Sequence, residues 1–163
     1  MKIFFPCLIL ALIFHTSGWA GAKSEKRPAV TLRFHVEASE HDSEKFATPV
    51  DFHYARKKGY MSIVPTITER DVIRMIPYTA ENGTMGAVLH LDPHGRLSLQ
   101  AMSIEKRSKS VLVLLNGRYV LDMLIDKQIS DGIITIPFGL TPEEIALMDK
   151  QFNKADRKQR KKS

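Results

Sequence analysis

The chain predicts an α+β domain, an antiparallel sheet with helices packed on one face, ferredoxin-like in flavour. Three observations carry that reading. Residues 30–37 and 84–91 alternate apolar and polar side chains with the period of a half-buried strand. Asn116-Gly117 stands between two strand-like runs and suits the positive φ of a type I′ hairpin. Asp92-Pro93 and Thr141-Pro142-Glu143-Glu144 are helix openings, each with a capping side chain followed by proline at the first helical position.

The elements follow in chain order. Val30, Leu32, Phe34 and Val36 point one way from the first strand, and Thr31, Arg33, His35 and Glu37 point the other. A polar loop covers residues 39–48. Two short extended pieces, 50–54 and 60–64, flank Arg56-Lys57-Lys58-Gly59, which reads as their turn. Thr68-Glu69-Arg70-Asp71 has the chemistry of a helix start, with Val72, Met75 and Ile76 one turn apart and Pro77 as the stop. In the strand at 84–91, Met85, Ala87, Leu89 and Leu91 face inward, and Thr84, Gly86, Val88 and His90 outward. The helix opened by Asp92 is expected to bury Leu97, Ala101 and Ile104. Residues 110–115 form an uninterrupted apolar run suited to a central strand. Residues 118–125 return antiparallel, and 132–136 make a further strand. Ile145, Met148 and Phe152 mark the buried stripe of the last helix.

The beginning of the chain has a different character. Lys2, an apolar centre and a small-residue exit compose a secretory signal peptide over residues 1–22, cleaved after Ala22 or alternatively Ala20. Its apolar centre falls short of the roughly 20 residues a membrane span needs. Residues 23–29 read as a disordered lead-in and 30–152 as one domain. The expected location is therefore outside the inner membrane, periplasmic or secreted, without integration into the bilayer. Cys7 is the single cysteine, so the cleaved chain has none and its stability comes from an ordinary core.

The net charge of +6 is a local property. Lys150, Lys154, Arg157, Lys158, Arg160, Lys161 and Lys162 crowd the end of the chain against Asp156, leaving the body near neutral. Residues 153–163 are thus a basic tail. It is either a solubilising helix end, where cations suit the helix dipole, or a weak dock for anionic surfaces. Nucleic acid is not expected as a partner, because exported proteins seldom meet it and no aromatic side chain stands among the cations from Lys154 onward.

The order of elements over residues 84–152, with Asp92, Gly95, Asn116-Gly117, Gly132, Gly139, Thr141, Glu143, Glu144 and Ile145 at the turns and caps, resembles one known family. It is similar to the head subdomain of the first periplasmic domain of SecD, a subunit of the SecDF protein-export complex. Asn116 stands where that family usually has aspartate, and Leu140 where it usually has phenylalanine. The resemblance implies a compact α+β head that touches an exported polypeptide or an envelope partner. It does not carry over proton-driven export, which in that family uses carboxylates on transmembrane helices.

Candidate chemistry is sparse. His90, Asp92 and His94 offer two imidazoles and a carboxylate within five positions, a pattern open to a metal-dependent hydrolase. Asp92 would then have to give up its capping role, so neither a metal nor another cofactor is expected. Without a nucleophile elbow or a mature cysteine, no catalytic residue is assigned. The expected function is a non-catalytic binding or assembly module. Its expected face is Arg33, His35, Val88 and His90, provided the strands at 30–37 and 84–91 share one sheet.

Overall fold

The computed structural model describes residues 29–39, 42 and 45–154. Residues 1–22, read from sequence as a signal peptide, and the tail beyond Lys154 lie outside the described residues, as does most of the expected lead-in. Nine strands and two α-helices follow in order: β1 (Leu32–Val36), β2 (Ala47–Phe52), β3 (Lys57–Ser62), β4 (Ile67–Thr68), β5 (Val72–Thr79), β6 (Met85–Leu91), α1 (Pro93–Glu105), β7 (Ser110–Leu115), β8 (Arg118–Leu124), β9 (Ile133–Leu140) and α2 (Pro142–Phe152). A 3-10 turn, Glu69–Asp71, separates β4 from β5.

The class is α+β and every strand pair is antiparallel. The strands divide into a four-stranded sheet of order β4-β1-β7-β8, a three-stranded sheet of order β5-β6-β9, and the separate hairpin β2–β3. The inner face of the four-stranded sheet supplies Leu32, Phe34, Val36, Ile67, Val111, Val113, Leu115 and Leu121. The inner face of the other sheet supplies Met75, Ala87, Leu89, Ile134 and Ile136. Leu99 and Met102 of α1 and Ile145, Met148 and Phe152 of α2 complete the same core.

Local chemistry sets the boundaries. The Asp92 carboxylate accepts from Gly95 N at 2.7 Å and caps α1. Thr141 and Glu144 close a reciprocal capping box on α2. Asn116 and Gly117 adopt φ of 51° and 80°, as the hairpin between β7 and β8 requires. At the far end of α2, side-chain amides act as surrogate backbone. Gln151 bonds both the N–H and the carbonyl of Val30, at 2.8 and 3.0 Å. Asn153, read from sequence as the start of the tail, bonds both backbone groups of Met75, at 3.0 and 2.8 Å, on the edge strand β5.

The structure corrects four sequence expectations. The helix expected from Thr68 to Pro77 is a capped 3-10 turn followed by a strand. The cap is real, but a β-bulge between Val72 and Arg74 turns Val72 and Met75 to the same side, which imitates helical spacing. Pro77 is tolerated because β5 is an edge strand. The turn placed at 56–59 lies at 53–56, with Lys57 and Gly59 already paired in β3. In α1 the buried residues are Gly95, Leu99, Met102 and Ser103, while Leu97 and Ile104 are exposed. Ser103 earns its place inside by accepting from Ile129 N at 2.9 Å and donating to Gln100 O at 2.8 Å.

The fourth correction concerns His35, which is buried. Alternation distinguishes the two faces of a strand but not which of them is wet. Here β2–β3 covers the outer face of the four-stranded sheet, over the transverse row His35–Leu112–Asp122. Ala47, Phe52 and Leu112 are buried in this region, apart from the main core.

Candidate binding surface

The outer face of the three-stranded sheet is a regular array set by register. One row runs Arg74–His90–Ile133, and the next runs Ile76–Val88–Thr135. A third begins at Tyr78–Gly86. Ile76 is 42% exposed, and Val88, His90 and Ile133 are half-buried. Phe138, further along β9, is 45% exposed. The Tyr78 ring lies across Gly86, where a Cβ would come within 2.5 Å of the ring, and its hydroxyl donates to the Pro137 carbonyl at 3.1 Å. Gly86 is therefore small so that the tyrosine can reach β9 and finish that end of the face.

The expected binding residues separate accordingly. Val88 and His90 share this face, whereas Arg33 and His35 belong to the other sheet, Arg33 exposed and His35 beneath the hairpin. Ile76, Tyr78 and Thr135 join the face although none of them was among the binding residues expected from sequence. For Ile76 and Tyr78 the available signal is the strand character of the β-branched stretch Val72-Ile73, masked by the cap chemistry that precedes it, whereas Thr135 joins through the register of β9 on β6.

Among the described residues, one group of potential metal ligands comes together: Asp71, Asp92 and His94, with ligand atoms within 4.8 Å of one another. His90 is not part of it, because it projects from the outer face of β6 before the chain turns into α1. His94 Nδ1 lies 2.8 Å from Asp71 Oδ1, and Asp71 Oδ2 accepts from Thr68 N at 2.7 Å and from the Thr68 hydroxyl at 3.1 Å. Burial alone would raise the Asp71 pKa, but the bonds from Thr68 and His94 outweigh it and hold the carboxyl below its usual range. The hydrogen bond to Asp71, then the charges of Asp71 and Asp92, raise the His94 imidazole above its ordinary value. With both Asp71 oxygens engaged and Asp92 capping α1, this corner works as a tie between the 3-10 turn and the helix start. The backbone bond from Asp92 N to Asp71 O at 2.8 Å adds to it.

A cavity of about 500 Å³ lies between α1 and the end of β1, with Glu37, Ser98, Glu105, Lys106 and Lys109 on its wall. Neither His90 nor the Asp71–His94 pair lines it.

No family model and no curated protein matches the chain. Solved structures do. SecDF in its super-membrane-facing form matches with a TM-score of 0.52 and 17% identity, over 74% of this chain and 18% of that one. A second SecDF structure, described as a membrane component that enhances protein export, matches with a TM-score of 0.50 and 19% identity, over 73% of this chain and 61% of that one. The similarity therefore reaches beyond residues 84–152, and this chain spans less than two thirds of either SecDF chain. No helix among the described residues is long and apolar enough to cross a membrane. In fold, the chain is similar to a part of SecDF.

Proposed function

We propose that this protein is a non-catalytic, exported binding module that contacts exported polypeptides, or an envelope partner, through the outer face of β5, β6 and β9. The observation that carries this reading is the uncovered Ile76–Val88–Thr135 row, flanked by Arg74, His90 and Ile133. A sheet face that mixes apolar contact area with a cation and an imidazole suits an extended chain better than it suits bulk water. Kinship of fold with an export factor supports the same role, as does the structural commitment of Asp71 and Asp92. Export itself rests on the signal sequence read at residues 1–22.

The test uses an unfolded, carboxymethylated polypeptide as probe. Val88→Asp and Ile76→Asp should each weaken its binding at least tenfold while leaving the melting temperature within a few degrees. Leu97→Asp, on the exposed side of α1, should leave binding unchanged. Equal binding by all three variants and the unmodified protein would remove this face from consideration.

A further inference from the structure

The hairpin β2–β3 contains a device that the binding role does not use. It rests on the outer face of the four-stranded sheet, and a two-stranded hairpin alone is at best marginally stable in water. Its attachments are therefore few and identifiable. Ala38 N donates to Tyr60 O at 2.8 Å, and Glu37 bridges to Met61. Lys57 pairs with Glu37 at 2.7 Å. The Asp122 carboxylate accepts from Tyr54 N at 3.0 Å, and the His53 ring lies 4.6 Å from that of Tyr119. Phe52 provides the apolar anchor and is 1% exposed.

His35 sits under this cover with 4% exposure. Its Nδ1 is 2.8 Å from the Ser62 carbonyl oxygen in β3. A carbonyl oxygen only accepts, so Nδ1 carries the hydrogen and the neutral ring holds its lone pair on Nε2. Nε2 is buried and finds no hydrogen-bond partner among the described residues. Proton uptake there would create a buried N–H without an acceptor and a charge without a counterion.

Among the described residues, the groups around His35 offer no relief. On its own strand stand Arg33, of like charge, and Glu37, already held by Lys57 and by Lys109 at 3.7 Å. Across the sheet, Asp122 is occupied by Tyr119, Tyr54 and Ala55. From β3 come the Ser62 carbonyl, Tyr60 and the engaged Lys57.

We propose that the β2–β3 hairpin is an acid-released flap: protonation of His35 unlatches it from the four-stranded sheet and bares the apolar surface of Phe52 and Leu112. This inference stands independently of the binding role given to the three-stranded sheet.

The sign follows from the burial. Desolvation, opposed by the Ser62 bond and aided by Arg33, lowers the pKa of His35 in the closed state. Above about pH 6.5 both states hold a neutral ring, and acid has no effect. Below that, the open state takes up the proton first, and the opening constant rises by up to about tenfold per pH unit until the closed-state pKa is reached. Glu37 and Asp122 are both held below their usual values, so those latches persist through this window.

Hydrogen exchange on the full chain at pH 7.5 and 5.5, corrected for intrinsic rates, reads the opening directly. Protection of residues 49–61 should fall about tenfold at the lower pH while β6 keeps its protection. His35→Phe and His35→Gln should abolish that pH dependence, and His53→Asn should preserve it. Equal hairpin protection at both pH values overturns the proposal. So does a pH dependence that survives both His35 variants, or a parallel loss in β6. Nitrogen chemical shifts of the ring provide a readout in the unmodified protein: His35 titrating at or above the ordinary histidine value would also overturn it.

Discussion

Asp122→Ala removes a carboxylate that is 5% exposed and serves three donors at once. Tyr54 N lies 3.0 and 3.2 Å from its two oxygens, Ala55 N lies 3.4 Å away, and the Tyr119 hydroxyl makes a short bond to Oδ1. A hydrogen bond to a charged group contributes about 1.5–3 kcal/mol. Tyr54 is 70% exposed at the hairpin tip, so water recovers part of the loss. The Ala55 bond is long and adds little. The net cost is about 2 kcal/mol, which for a domain of this size lowers Tm by about 6–10 °C. Asp122→Asn keeps one acceptor oxygen and should lose about half as much. Thermal unfolding followed by circular dichroism measures both, and hydrogen exchange should place the added opening at residues 53–56. A Tm within 1–2 °C (roughly 0.5 kcal/mol) of the unmodified protein would refute the idea that this carboxylate anchors the hairpin.

Two further outcomes follow from the geometry. His94→Gln should weaken the protein only within a pH window: the raised His94 contributes below its unfolded value of 6.5 and is lost as pH rises through its folded value, while the lowered Asp71 is lost as pH falls below 3.8. Urea midpoints across pH test this, and a difference from the unmodified protein that is constant with pH would reject it. Gly117→Val forces a β-branched residue to a φ of 80° and should cost about 1–2 kcal/mol in chemical denaturation; an unchanged midpoint would mean the turn has re-formed in another type.

The features legible in the sequence were those written in contiguous residues. Asp92-Pro93, Thr141 with Glu144, and Asn116-Gly117 each satisfy backbone groups a few positions away, so a short window contains the whole cause. The features missed depend on distant partners. The bulge that reverses β5 answers to its pairing with β6, which no local pattern in Val72-Ile73-Arg74 announces. Helix α1 carries two apolar stripes, and only the position of Ser103 against Ile129 shows which one is inside. His35 lies on the side expected from alternation, but the hairpin that covers it is encoded residues later. The same applies to the candidate surface: Val88 and His90 were visible as outward-facing, whereas Ile76 and Thr135 became their neighbours only through sheet register.

The pair of hydrogen bonds between Gln151 and Val30 has a topological consequence. The first and last parts of the described residues are fastened to one another across 121 positions of sequence. A fold closed in this way can be spliced into a surface loop of a host protein without being stretched, since the host sees two attachment points side by side. It can also be circularly permuted, with a short linker across the old ends and new ones opened at the exposed Asn82-Gly83 turn. For folding, this clasp is expected to form late, because closing so long a loop costs entropy that only an assembled core offsets.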